Sequence, residues 1–170
     1  THDDKYLETQ EGRKLPVEHC VFGTSGWLLN PNVLSSIDSK DYSIYEHIRK
    51  NTFGSIHLPG AVGFLIDCCN NYYEKDIKLT LVGVCTDICV ISNALLLKAH
   101  FPEMKIVVDA SCCAGSTPEK HYMALEVMKS CQVDVVNNEY DIVRENVIKM
   151  LNKAFGVPEE FWTDNGEWVT

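Results

Sequence analysis

The sequence predicts an α/β protein: a parallel sheet with helices on both faces. Two observations predict it. Residues 79–84 (Leu-Thr-Leu-Val-Gly-Val) are a short, almost wholly apolar run, as a parallel strand covered on both faces requires. From there to residue 155, strand-like and helix-like segments alternate. A β-α-β-α-β-α order implies right-handed crossovers that lay helices against the sheet.

The first 60 residues are less regular. His19-Cys20-Val21 is a candidate short strand and residues 23–26, bounded by glycines, a turn. Residues 38–46 lead into a helix or strand ending near Arg49-Lys50. After the strand at 79–84 comes a helix-period stretch in which Val90, Ala94 and Leu97 share one stripe with Ile91 and Leu95. Lys105-Ile106-Val107-Val108-Asp109 is the next strand. Ser116-Thr117-Pro118-Glu119 opens a helix reaching about Ser130, with Ser116 placed to cap, proline early, and glutamate three positions after the serine. Residues 133–136 form a further strand and 140–155 a closing helix. There is no internal repeat and no low-complexity segment.

A chain of 170 residues suits one domain with a single core. Its net charge of −9, with no block of lysine or arginine, repels phosphate backbones and anionic lipid. Nucleic acid and membranes are therefore not expected partners, and no apolar run approaches the roughly 20 residues that span a bilayer. Thr1-His2-Asp3-Asp4 lacks the features of a signal peptide, so a cytoplasmic location is expected. Eight cysteines, with vicinal pairs at Cys68-Cys69 and Cys112-Cys113, are spread along the α/β pattern. They are expected to be reduced and mostly buried rather than a disulfide scaffold.

In parallel sheets ligands gather at the carboxyl ends of the strands, which selects residues 85–89 and 111–116. In Gly83-Val84-Cys85-Thr86-Asp87-Ile88-Cys89-Val90 a buried strand breaks, and a helix is expected to begin at or just before Cys89. Unpaired N–H groups at a helix start favour a thiolate and can hold an oxyanion. On the residues alone two other readings stand. Cys85 and Cys89 are also small space-fillers of the kind cores use. A non-catalytic zinc or redox domain would instead gather Cys85, Cys89, Cys112 and Cys113, although their spacing is unlike a zinc knuckle. His2, Glu11 and His19 offer donors suited to zinc, manganese or iron(II), or are exposed polar residues. Lys50, followed by Asn51-Thr52-Phe53-Gly54-Ser55, is by itself no more than a surface lysine.

GVCTDICVISNALLLKA (residues 83–99) closely resembles the nucleophile segment of the nicotinamidase branch of the isochorismatase-like cysteine hydrolases. LPVEHCVFGTSGW (15–27) resembles that branch's P-x-H-C…G-T-x-G motif. THDD (1–4) resembles the remainder of its Asp-x-His metal motif, and KNTFGS (50–55) the segment bearing the family lysine. The resemblance covers most of the chain in the expected order and implies one Rossmann-like hydrolase domain over residues 1–170. It makes Cys89 the nucleophile and Lys50 the lysine of an Asp-Lys-Cys triad. It also implies a cis peptide between Val84 and Cys85, with the backbone N–H groups of Cys85 and Cys89 as oxyanion hole. His2 and His19 correspond to ligands of a divalent metal, zinc first with manganese or iron as alternatives, and Glu11 to a ligand present in some members. Trp27 and Phe53 are candidate aromatic walls of the substrate pocket, or core residues.

The implied reaction hydrolyses a linear carboxamide, nicotinamide to nicotinate and ammonia, within NAD metabolism. The metal is implied to orient the pyridine nitrogen, and a homo-oligomer is expected. Another carboxamide or a ureido acid is the alternative substrate. True isochorismatases are disfavoured, because their vinyl-ether hydrolysis does not use a cysteine at this position. The resemblance has departures. The triad aspartate and the metal-motif aspartate are expected upstream of Thr1, together with N-terminal strands of the sheet. The 170 residues are thus expected to lack part of the domain and not to be a competent amidase. Leu15 stands where tryptophan is frequent and Gly54 where serine is common. The tail 156–170, with Trp162 and Trp168, has no counterpart and is expected to cover the sheet or mediate oligomer contacts.

Overall fold

The computed structural model describes residues 2–38, 48–68 and 74–139. The expected closing helix at 140–155, the tail, and the expected element at 39–46 lie outside the described residues. The described sheet is parallel and runs in the order β1 (Lys78–Val84), β2 (Lys105–Ala114), β3 (Asp134–Val136). The helices are α1 (Gln10–Lys14), α2 (Pro31–Asp38), α3 (Leu58–Cys68), α4 (Ile91–His100) and α5 (Pro118–Ser130). The last two are the crossovers β1–α4–β2 and β2–α5–β3 that the alternation predicts. No described helix is long and apolar enough to cross a membrane.

The stripe expected after Cys89 is the one that is buried. Val90, Ala94 and Leu97 join Ile106, Val108 and Ala110 of β2, and Leu125 and Met128 of α5, in one core. Leu97 is fully buried, and its truncation to alanine should cost about 2–5 kcal/mol through lost transfer energy and the cavity left behind. Val107, which alternates with Ile106 and Val108 along the strand, is buried as well, so β2 is covered on both faces. The sequence predicts the same for β1, and there the structure differs. Val82 and Val84 are 57% and 68% exposed, and among the described residues β1 pairs only with β2.

Other differences are local. Helix α3 lacks a clear sequence signal because Pro59, Gly60 and Gly63 interrupt it, yet Leu58, Val62 and Ile66 pack against the core. Strand β2 runs five residues beyond the predicted Asp109. Its register against β1 slips between Leu81 and Gly83, so that Gly83 pairs with Cys113 and Val84 with Ala114. The cap of α5 is Thr117, whose side chain accepts from the Lys120 N–H, and not Ser116. The expected strand at His19-Cys20-Val21 reduces to one bridge between His2 and Val21. The described cysteines are free thiols, but none is fully buried; Cys20, Cys68, Cys112 and Cys131 are exposed. Cys20 lies in a loop, Cys68 and Cys131 at helix ends, and Cys112 on the exposed end of β2. Their positions at element ends explain why they do not fill the core.

Candidate active site

At the carboxyl end of β1 the Val84–Cys85 peptide is cis, as the resemblance implies. The chain then enters a π-helical turn, Thr86–Val90, before α4 begins. The N–H groups of Ile88 and Val90 both donate to the Cys85 carbonyl, at 3.1 and 3.0 Å, so the turn winds around that oxygen. Turns of this kind recur at functional sites. Cys89 sits within it, half-buried.

Two side-chain ties hold the turn against α5 and the residues just before it. Fully buried Thr86 has its hydroxyl 2.8 Å from Nδ1 of His121. The Asp87 carboxylate accepts the N–H of Ser116 at 2.7 Å and its hydroxyl at 2.6 Å. Ser116 therefore serves the turn rather than the helix it was expected to cap. Burial pushes the Asp87 carboxyl up, but the two Ser116 hydrogen bonds, its own backbone N–H and the charge of Lys120 together hold it below the ordinary carboxylate value. The Cys85 thiol is pushed up, by burial first and then by the charge of Asp87.

Lys50 reaches this turn from a loop far back in the sequence. Its Nζ donates to the Cys89 sulfur at 3.6 Å and to the Thr52 carbonyl at 2.9 Å. The loop rests on α4 through Asn93, which accepts the Ser55 N–H and donates to the Phe53 and Cys89 carbonyls. Gly54 explains itself here. A Cβ at this position would lie 2.7 Å from a Leu96 methyl and 3.3 Å from Ser92 Cβ, so the serine common in the motif would crowd α4.

The histidines form a second cluster. His2 is carried to the His19 loop by two backbone hydrogen bonds, from its N–H to the Cys20 carbonyl and from the Phe22 N–H to its own carbonyl. Cys20 takes a left-handed conformation (φ 49°) at the bend. The Nε2 atoms of His2 and His19 face each other at 3.1 Å. Nδ1 of His19 donates to the Val17 carbonyl at 2.6 Å, which fixes the orientation of the ring. His2 is buried, and burial together with His19 lowers its pKa to about 4, so it is neutral at physiological pH.

Two imidazole Nε2 atoms converging on one point, one ring fixed by a backbone carbonyl, are the donor arrangement metal sites use. Glu11 does not complete it. Its carboxylate lies near Tyr6, the buried ring that stacks on His2 with centroids 4.0 Å apart, and one carboxylate oxygen is buried with no hydrogen-bond partner among the described residues. The described residues contain no group of three or more His, Cys, Asp or Glu side chains placed to hold an ion. That applies equally to the grouping of Cys85, Cys89, Cys112 and Cys113.

A cavity of about 460 Å³ is lined by both His2 and Lys50. Phe22, Arg49, Ser55 and His57 complete much of its wall. Neither Trp27 nor Phe53 lines it. Trp27 meets the Phe22 ring edge-to-face with centroids 4.9 Å apart, while Arg49 lies 4.1 Å over the Phe22 ring. The sequence offers Trp27 and Phe53 as candidate aromatic walls or core residues, whereas the phenylalanine that lines this cavity is Phe22, within the same quoted motif as Trp27. Asn93 was also missed. Its only signal was a polar side chain one helical turn after Cys89.

An isochorismatase domain model matches residues 1–139. The chain belongs to the isochorismatase family. Solved structures with a similar fold include nicotinamidase/pyrazinamidase from Bacillus subtilis, 23% identical with a TM-score of 0.55 over 73% of this chain and 64% of that one. A second is nicotinamidase from Staphylococcus aureus, 26% identical with a TM-score of 0.53 over 69% of each chain. A third is pyrazinamidase from Pyrococcus horikoshii in complex with zinc, 19% identical with a TM-score of 0.53 over 81% of this chain and 71% of that one. The chain spans just under two thirds of the Bacillus subtilis enzyme. Comparison with curated protein sequences finds no match. The isochorismatase-like hydrolase fold predicted from the motifs is therefore the fold of this chain, and its solved neighbours carry the names of the branch whose motifs it resembles.

Proposed function

We propose that this protein is a metal-assisted cysteine amidohydrolase that converts nicotinamide to nicotinate and ammonia. The observation that carries the reading is the 3.6 Å approach of the Lys50 ammonium to the Cys89 sulfur. In this reading Cys89 attacks the carboxamide carbon as a thiolate with Lys50 as its cationic partner, and a C–S bond forms. The N–H groups of Cys85 and Cys89 hold the oxyanion. Protonation of the nitrogen breaks the C–N bond and releases ammonia. Water then cleaves the thioester, forming nicotinate and returning Cys89.

His2 and His19 would hold the divalent metal, and the zinc complex of the Pyrococcus horikoshii relative favours zinc. A bound ion would supply a Lewis-acidic anchor for the pyridine nitrogen. Phe22 and Arg49, stacked on one another, would flank the ring.

The test is ammonia release by the full-length protein from nicotinamide, pyrazinamide, an aliphatic carboxamide and a ureido acid, with and without zinc. The reading expects nicotinamide to be preferred and a chelator to slow it. Release from the ureido acid or the aliphatic amide alone would move the assignment to another amidohydrolase of the superfamily. No release from any of them would contradict it.

A further inference from the structure

Asn93 makes three hydrogen bonds that join two parts of the site roughly forty residues apart in sequence. Its Oδ1 accepts the Ser55 N–H at 2.9 Å. Its Nδ2 donates to the Phe53 carbonyl at 3.3 Å and to the Cys89 carbonyl at 2.7 Å. Each partner lies on a catalytic element: Phe53 and Ser55 on the loop that carries Lys50, Cys89 on the turn after β1. Three good bonds from a half-buried amide are more than a helix-surface asparagine ordinarily keeps, since asparagine in a helix competes with the backbone and is weakly favoured there. The close seating of Gly54 against Leu96 and Ser92 shows that the same loop is pressed onto α4 at the same place.

We infer that Asn93 is a positioning residue that sets the distance between the Lys50 ammonium and the Cys89 sulfur. The inference rests on the reading that Lys50 and Cys89 work as a pair. Asn93 touches no reacting atom. It acts through the loop: without its amide, residues 53–55 lose their polar anchorage on α4, and Lys50 loses the fixed base from which it reaches the sulfur. A misplacement of about 1 Å in such an arrangement can cost about 100-fold in rate.

A double-mutant cycle on the whole protein tests this, read out as the rate of Cys89 alkylation by iodoacetamide, followed by peptide mass, and as kcat and KM for ammonia release. Asn93→Ala should slow alkylation about tenfold or more and lower kcat with little change in KM. In a Lys50→Ala background the same substitution should change the alkylation rate less than about twofold, because its effect passes through Lys50. Asn93→Asp keeps an acceptor for the Ser55 N–H and removes both donated bonds. It should fall between wild type and Asn93→Ala, and it carries the test if the alanine variant does not fold. Equal losses in both backgrounds, or wild-type reactivity in both Asn93 variants, would overturn the inference. Lys50→Ala without effect on Cys89 would overturn it together with the pairing it rests on. A normal Lys50 effect with an inert Asn93 would overturn the positioning role alone.

Discussion

The turn that carries Cys89 and the histidine corner reach one cavity only through Lys50 and His2, and they are built differently. The turn is knit by hydrogen bonds between residues distant in sequence: Lys50 to Cys89, Ser55 to Asn93, His121 with Thr86, Ser116 to Asp87. The corner is held within the first 22 residues, by the bonds of His2 to Cys20 and Phe22 and by Tyr6, tilted on His2 and edge-on to His19. It leaves Nδ1 of His2 and one oxygen of Glu11 buried without a hydrogen bond among the described residues. Each such atom costs about 1–3 kcal/mol of unreturned desolvation. Hydrogen bonds from distant elements thus tie down the turn that carries Cys89, while the corner keeps two buried polar atoms without a partner among the described residues.

That difference can be broken experimentally, and the largest effect should fall on the turn. Cys89→Ser should lower turnover by about 10⁴-fold or more while metal content, measured by elemental analysis, stays at the wild-type level. Loss of metal on that change would mean that the cysteine belongs to a metal site and would merge the two regions. His19→Ala should do the converse. It should strip the metal and cost about 10- to 100-fold in activity, with iodoacetamide reactivity of Cys89 unchanged.

Acid should separate the regions as well. His2 is held neutral, with a folded pKa of about 4, below its ordinary value. The unfolded chain binds that proton more readily, so the contribution of His2 to stability is complete above about pH 6.5 and is lost as pH falls toward 4. Urea unfolding of metal-free protein across that range should show stability falling with pH, and a flat profile would contradict a buried neutral His2. Asp87 acts lower. Its folded pKa is depressed, so its contribution is present above the ordinary aspartate value and fades as pH falls through the folded one. The smallest effect is expected from Ser116→Ala, about 1 kcal/mol in urea unfolding for one hydroxyl bond to an exposed-side carboxylate.

What was legible in the sequence follows the same division between local and non-local causes. The order β1–α4–β2–α5–β3 was readable because periodicity and turn chemistry are local, and Val90, Ala94 and Leu97 are buried as their stripe requires. Cys89 with Lys50, and His2 with His19, were expected together from the motifs they sit in. The structure brings the first two together and the second two together. Ser116 was misread as a cap because its partner, Asp87, lies in another element. Phe22 replaced Trp27 in the cavity wall because the stacking of Arg49 on it joins two loops that no periodicity connects.

The pairing of Cys89 with a carboxamide is tested most directly by trapping the acyl-enzyme. The protein is mixed with nicotinamide, quenched in acid within a turnover and digested, and the Cys89 peptide is weighed. The account predicts a nicotinoyl thioester on Cys89 that disappears in Cys89→Ser. Ammonia release with no adduct on Cys89, or with the adduct on another residue, would contradict it.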